Sequence, residues 1–307
     1  MSEQRETFSE QILGFTVPSR DARGRLVRTD GLLDSILSAH DYPAPIAHVL
    51  AEALVVSALI GSLVKGEGSQ VTMQARGSSG AISLLVCDFR DGDLRGYIDF
   101  DTEQLPALGN NPTLAALFGE GHLALTFDIV LPVGEGLDGG KETRRYQGIV
   151  PLEGSSIGEA VENYFFQSEQ VPTLIRVAVS GEGSQYHAAG MLVQHLPEGE
   201  EGRERLHVKL DHPVWEHVAI MAGSVRHDEL LDSALSLESI VWRLFNEEEQ
   251  VRVFPGQRLA RGCRCTVEHY RTILSRFSDD DRKEMRDDNG NIVVDCAFCS
   301  QQFAIAV

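Results

Sequence analysis

Positive charge is scarce in this chain. There are 27 Lys+Arg against 46 Asp+Glu, a formal net charge of −19 over 307 residues. The deficit is uneven: residues 251–307 hold 9 Lys+Arg and 8 Asp+Glu, which leaves 18 and 38 for the first 250 residues. So acidic a body repels phosphate backbones, and a nucleic-acid partner is not expected for it. Long apolar runs are missing as well. The most apolar stretch, Val49–Val64, is interrupted by Glu52 and falls short of the ~20 residues that cross a bilayer. A buried helix is expected there, and no membrane partner. Met1–Ser9 is polar and lacks the apolar core of a secretory signal, so a cytoplasmic protein is expected. Catalytic signatures are absent too. There is no nucleophile-elbow sequence, and no carboxylate pair stands out from the acidic background, so an enzyme is not expected. Gly134–Gly139 matches G-x-G-x-x-G, but strand-like residues Lys141–Gln147 follow instead of a phosphate-binding helix, and a hairpin loop is the better reading. His212-Pro213-Val214-Trp215-Glu216-His217 lacks the zinc-protease spacing and has a proline where that motif needs helix, which leaves a surface or packing role. Cysteines number only 5. In a reducing compartment, clustered cysteines point to metal binding or redox sensing ahead of structural disulfides.

What is present reads as an α+β chain. Apolar pieces at Ile12, Leu13, Phe15 and Val17 precede the basic run Arg23–Arg28 and an amphipathic stretch, Leu32–Ala39. Asp41-Tyr42-Pro43 opens the long apolar helix, with Pro43 and Pro45 tolerated in or before its first turn. Its small residues Ala51, Ala53, Ala58 and Gly61 suit close packing against a sheet, and Lys65–Gly68 ends it. Strands are expected at Val71–Ala75 and Ile82–Val86 around the turn Gly77–Gly80, and at Leu94–Phe100. His122–Leu131 alternates Leu123, Leu125, Phe127 and Ile129 onto one face, and Tyr146–Val150 returns beside it. Ser156–Glu159 has the form of a capping box opening a helix through Phe166. Leu174–Val179 and Ala188–Gln194 complete a mainly antiparallel sheet packed by helices, residues 1–195.

Residues 196–250 read as an acidic helical linker. Pro197–Arg205 holds four glutamates with Gly199 and Gly202. Beyond it, His227–Phe245 places Leu230, Ala234, Leu237, Val241 and Leu244 at helical spacing, giving one narrow apolar face. From His227 to Glu249 there are seven acidic residues and one basic residue, Arg243, so this helix is expected to be stable only when docked.

Residues 251–307 carry the chemistry. Cys263-x-Cys265 and Cys296-x-x-Cys299 flank thirty residues, 266 to 295. Two close pairs let two turns of chain deliver four thiolates to one tetrahedral Zn²⁺. Between them, Val267, Tyr270, Leu274 and Phe277 form a helical face, Ser278–Asp281 caps a second short helix, and Asn289-Gly290 turns into a strand, Ile292–Val294. So few residues bury little core, and a metal is expected to supply most of the folding energy. His269 is an alternative ligand. A tetrathiolate site is commonly structural only. Here the C-x-C pair could close only a tight, strained ring, and Arg261, Arg264 and Arg271 are expected to surround the thiolates with positive charge; both features suit a switch. Cys87, at the end of an apolar strand, is expected to be buried and inert.

These residues resemble the redox-regulated 33-kilodalton heat-shock chaperones of bacteria and organelles. The pattern Cys263-x-Cys265 with Cys296-x-x-Cys299, flanked by Asp295 and Phe298, is similar to that family's zinc site. Arg23–Arg28, Tyr42-Pro43 with the alanine-rich helix, Pro151–Gly154, Gln167–Pro172 and Ala189–Gln194 resemble further stretches of it, in order. The resemblance implies an ATP-independent holdase, inactive when reduced with one Zn²⁺ per chain. Oxidation would form Cys263–Cys265 and Cys296–Cys299 disulfides, release the zinc and unfold the linker. Unfolding client proteins, and a second copy in an oxidised homodimer, are the implied partners. The rival expectation is a constitutive zinc-ribbon module binding RNA or a protein, disfavoured for RNA by the small positive balance of residues 251–307.

Overall fold

Apolar residues at every second position build two sheets, and the helix that is apolar all round lies between them. The computed structural model describes residues 9–109, 112–131, 142–183, 185–196 and 212–306. In chain order, β1 (Gln11–Val17) and β2 (Ala22–Thr29) form a hairpin, followed by α1 (Gly31–Leu37) and α2 (Ala44–Gly61). Next come β3 (Gln70–Gly77), β4 (Ile82–Arg90), β5 (Asp93–Phe100), α3 (Leu114–Phe118), β6 (Gly121–Val130) and β7 (Thr143–Pro151). Then α4 (Ile157–Tyr164), β8 (Thr173–Glu182) and β9 (Gln185–His195) complete the body. α5 (Pro213–Gly223), α6 (His227–Leu231), α7 (Leu237–Phe245), β10 (Arg252–Arg258) and β11 (Ala260–Arg261) follow.

The first sheet has strand order β10-β1-β2-β9-β8, and the second β11-β5-β4-β3-β6-β7. Every pairing in them is antiparallel except the short β11–β5 contact. The apolar pieces and the basic run, to which the sequence pattern assigned no conformation, form the hairpin β1–β2. The basic run is a strand: Arg23 and Arg25 face one side, and Arg28 faces the other with Ala22 and Leu26.

α2 packs on both sheets, where the sequence suggested one. Its mean hydropathy of 1.8 and 18 residues would by length and composition suit a membrane, yet it is 78% buried within the protein. The approach is so close that the strand position beneath it in each sheet is glycine. A Cβ on Gly190 would stand 2.7 Å from Val55, and one on Gly96 would stand 2.8 Å from Cys87 and 3.0 Å from Leu54. Cys87 is fully buried in this layer, as the apolar strand implied, and burial pushes its thiol pKa up. Glu52, the one acid of α2, turns to α4 and accepts from Gly158 N at 2.9 Å, so its carboxylate serves a helix N-terminus. Ser156 caps that helix by accepting from Glu159 N at 3.1 Å, while Glu159 accepts from Ser155 N, so only half of the expected box forms. After Tyr164 the helix widens into a π-helical turn, Phe165–Glu169, and ends at Gln170 in a left-handed conformation (φ 55°).

The acidic segment covers the outer face of the first sheet. Its described residues hold three helices, and the single helix expected over His227–Phe245 is two, α6 and α7. Pro213 occupies the first turn of α5, a position that needs no amide donor, so it starts a helix there. Asp232 and the Ser236 cap, which accepts from Ser239 N at 3.1 Å, separate α6 from α7. Ala234 lies exposed in that break, and α7 buries Leu237, Ile240, Val241, Leu244 and Phe245, a broader face than expected. They pack on Leu13, Phe15, Val17, Leu26, Met191 and Val193 of the sheet. Polar contacts fix the register. Arg28, 1% exposed, donates to the carbonyls of Leu230 (2.8 Å), Leu235 (2.7 Å) and Glu229 (3.3 Å). At the far end Arg20 meets Glu248 at 2.8 Å, and His217 meets it at 3.1 Å. Burial acts to raise the Glu248 pKa, but hydrogen bonds from Arg20, Ser19 and His217 hold it below the usual value. Residues 197–205 and the loop Gly134–Gly139 lie outside the described residues.

Arg28→Met keeps the length of the side chain and removes its donors. Each buried carbonyl left unpaired costs roughly 1–3 kcal/mol. With three such carbonyls, amide hydrogen exchange in residues 226–236 is therefore expected to quicken by at least about a hundredfold while Ala44–Gly61 stays protected. Unchanged exchange would show that the apolar face alone holds the segment.

Candidate metal centre

Beyond β11 the chain forms a small unit of α8 (Val267–Leu274), α9 (Asp279–Glu284), β12 (Asn291–Asp295) and β13 (Gln302–Ala306). β12 and β13 pair antiparallel. Thr266 caps α8 by accepting from His269 N, and Ser278 with Asp281 makes a full capping box on α9. The buried apolar set is Leu274, Ile292, Phe303 and Ile305 with Cys296, too little to sustain so many loops alone. Of the helical face read from the sequence, Leu274 is buried, while Val267 and Phe277 are exposed.

Cys263 and Cys265 lie in the turn entering α8, and Cys296 and Cys299 in the turn between β12 and β13. Their Sγ atoms all lie within 4.8 Å of one another. Cys263 stands 3.2 Å from Cys265, 3.6 Å from Cys296 and 3.4 Å from Cys299, and Cys265 lies 3.5 Å from Cys299. Tetrahedral Zn²⁺ with Zn–S near 2.3 Å needs sulfurs about 3.7 Å apart. The four thiols therefore fit such an ion with small adjustments. His269 is not among the clustered groups and stands edge-on to Tyr270, so it is not a ligand.

The thiols differ in acidity. Burial acts to raise Cys296, but hydrogen bonds from the Tyr270 hydroxyl and the Phe298 and Cys299 amides bring it down to about 7. Cys265 and Cys299 are raised, first by burial and then by sharing hydrogens with neighbouring sulfurs. Of the three arginines expected around them, one is directed elsewhere. Arg264 turns to the body, donating to Gln70 Oε1 at 2.6 Å and standing 3.7 Å from Asp88. The Gln70 oxygen and the Asp88 carboxylate hold it there.

Arg264 is one of several contacts that seat this unit on the outer face of the second sheet. The Phe298 ring lies 3.9 Å from the Arg95 guanidinium and meets the Tyr97 ring edge-on at 5.0 Å. Arg95 is held by Asp88 at 2.6 Å, and Asp88 accepts from Thr72 at 2.6 Å. His40 Nε2 meets the Ala297 carbonyl at 3.0 Å, and its Nδ1 meets the Ser300 hydroxyl at 3.1 Å. A neutral ring with the proton on Nε2 satisfies both, and burial lowers its pKa accordingly. The Gly262 amide donates to Leu94 O at 3.0 Å, and a Cβ on Gly262 would stand 2.2 Å from Asp93, so only glycine lets the chain pass. Asp88, Arg95, Tyr97 and His40 were not singled out in the sequence. The available signal was an acid, Asp88, in the otherwise apolar run Leu84–Phe89.

A family model described as Hsp33 protein matches residues 10–306. The 33 kDa chaperonin of Caulobacter vibrioides is 34% identical over 306 residues, covering 97% of this chain and 95% of its own length. That of Pseudomonas aeruginosa is 33% identical over 303 residues, with 97% and 92% covered. The crystal structure of the 33 kDa chaperonin from Thermotoga maritima superposes with a TM-score of 0.73 over 97% of this chain and 95% of that one, at 19% identity, which is a likeness of fold. With a family match that runs through both sheets, the acidic helices and all four clustered cysteines, the chain belongs to the Hsp33 family.

Proposed function

We propose that this protein is an ATP-independent chaperone of the cytoplasm, held inactive while its four cysteines are reduced and share one Zn²⁺, and switched on by their oxidation. One observation carries the reading: Cys263, Cys265, Cys296 and Cys299 bring four sulfurs within 4.8 Å on turns that also seat the unit on the body. Three units divide the work. They are the body, residues 1–195; the acidic segment, 196–250; and the cysteine unit, 251–307, whose first strand β10 is hydrogen-bonded to β1. Its partners are unfolding proteins and, when oxidised, a second copy; no nucleic acid, membrane or catalytic turnover is part of the proposal.

A bound zinc ion would neutralise the thiolates and cross-link the two turns. Oxidation is sulfur chemistry. A thiolate attacks one oxygen of hydrogen peroxide; the O–O bond breaks, hydroxide leaves and a sulfenic acid forms. The paired cysteine's thiolate attacks that sulfur, the S–O bond breaks and a second hydroxide leaves. Two electrons pass from the sulfur pair to one peroxide, and the disulfide keeps no thiolate charge to offer a cation. Pairing Cys263 with Cys265 and Cys296 with Cys299 keeps each bond within one turn. The apolar core of the unit then lacks its cross-link and opens. The acidic segment lies on the opposite layer, against the first sheet, so the coupling runs along the chain through β10 and β11. Loss of that anchorage frees residues 227–249, whose apolar face cannot alone offset their seven acidic charges, and that face becomes available to clients.

Reduced protein is expected to hold one Zn²⁺ per chain, and Cys→Ser at any of the four positions to cost most of the affinity. Thiols with a pKa at or above the working pH must lose their protons to bind. Affinity therefore rises with pH, and from pH 7.5 to 6.5 it is expected to fall by at least about a hundredfold in competition with a chromophoric chelator. No zinc in reduced protein, or full retention by a Cys263→Ser/Cys265→Ser variant, refutes the site.

After peroxide, hydrogen-exchange protection is expected to vanish in residues 259–306 and to fall in 227–258, while Ala44–Gly61 keeps its protection. Aggregation of a heat-denatured client is expected to be suppressed by this oxidised form and not by the reduced one. Unchanged protection in 227–249 after zinc release would make the cysteine unit a local sensor with no hold on the acidic segment.

A further inference from the structure

The residues that touch the body are the ones enclosed by the ligand pairs. Arg264 sits between Cys263 and Cys265, and Ala297 and Phe298 sit between Cys296 and Cys299. On the body side, Arg95 and Tyr97 project from the same face of β5, and their cross-strand neighbours on β4 are Asp88 and Val86. Together they form a slot: a guanidinium fixed by a buried carboxylate, an aromatic ring two residues on, and Val86, 6% exposed, opposite that ring. Phe298 fills it, ring over guanidinium at 3.9 Å and edge-on to Tyr97 at 5.0 Å. A cation over one side of a benzene ring and an aromatic edge on another select aromatic side chains in general. Unfolded proteins expose just such side chains.

We propose that the Arg95–Tyr97 slot on the outer face of the second sheet is a binding site for aromatic side chains of unfolded chains, and that Phe298 occupies it as an internal stand-in. The proposal rests on the chaperone reading above and adds a second contact surface, on the layer opposite the acidic helices. It also explains why the blocking residue lies inside a ligand turn. Closing either cysteine pair reshapes the short loop between its sulfurs, so the same bond that removes the thiolates displaces Arg264 or Phe298 from the sheet. Asp88 keeps its partner Arg95 when Arg264 leaves, so the vacated slot holds no unpaired buried charge.

The test uses the full-length chain and a fluorescent unstructured peptide carrying two phenylalanines, with a control peptide carrying serine in their place. Oxidised wild type is expected to prefer the phenylalanine peptide by about tenfold, the scale of one cation–π contact with its aromatic neighbour. Reduced, zinc-loaded wild type is expected to show no preference. Phe298→Ala removes the ring and keeps the backbone amide that donates to Cys296, so the reduced variant is expected to retain one zinc and yet acquire the preference. Arg95→Gln/Tyr97→Leu, oxidised, is expected to lose it. Undiminished preference in that double variant overturns the slot, as does zinc-loaded, folded Phe298→Ala that binds neither peptide. The two readings fail separately. Oxidised wild type that suppresses client aggregation but does not distinguish the peptides removes the slot alone. Oxidised wild type that fails to suppress aggregation removes the chaperone reading, and the slot with it.

Discussion

Four sulfurs within 4.8 Å of one another cannot all carry charge unless a cation sits among them. At about 3.7 Å and an effective dielectric constant near 20, each pair of thiolates repels by roughly 4 kcal/mol. In the free protein the cluster relieves this by keeping protons. Cys296, with hydrogen bonds from Tyr270 and two amides, is the sulfur brought down to about 7, while Cys265 and Cys299 are pushed up. The turns that carry the sulfurs also carry Arg264 and Phe298, so the ionic state of the cluster and the seating of the unit on the second sheet share the same few residues. A change at the cluster thus needs no long relay to reach the body.

The acidic segment obeys a different constraint. Most of its charges face solvent, Glu229 and Glu248 are held in ion pairs with Arg243 and Arg20, its apolar residues face the first sheet, and buried Arg28 donates to three of its carbonyls. No hydrogen bond or ion pair joins 212–249 to the cysteine unit among the described residues. The two are linked through the chain itself, which runs from Gln250 along the edge of the first sheet, crosses at Leu259, whose amide donates to Glu10 O, and touches the edge of the second sheet at β11. The layered arrangement places the cysteine unit and the acidic cover on opposite sides of α2.

Much of this was legible before any coordinates. The body's strands after Val71 and the apolar helix follow from period-two and all-apolar patterns, and the four-cysteine cluster follows from spacing alone. Other features were hidden for physical reasons. β2 shows in the sequence only as a basic run because its inward positions include Gly24 and Arg28, and arginine signals burial only when its carbonyl partners are known. The break between α6 and α7 was masked because Leu230, Leu237 and Val241 keep helical spacing across it; the Ser236 cap was the local sign. The dock on Arg95 and Tyr97 joins residues far apart in sequence, and no local pattern encodes such a meeting. The stretch Gln167–Gln170 resolves into the exit of a π-helical turn, with the Tyr164 hydroxyl donating to Glu169 at 2.7 Å.

β10 gives the molecule a removable hem. All seven of its residues are exposed, so it is held mainly by backbone hydrogen bonds to β1 and contributes little apolar burial. A strand so attached can be peeled from one end, a residue pair at a time, without opening the core, and laid back along the same line. What it leaves bare is the row of amides and carbonyls on β1, the kind of edge that recruits another strand. The time the hem spends detached therefore sets how long this sheet is open at its side, a kinetic property decided by a few exposed residues and not by the stability of the body.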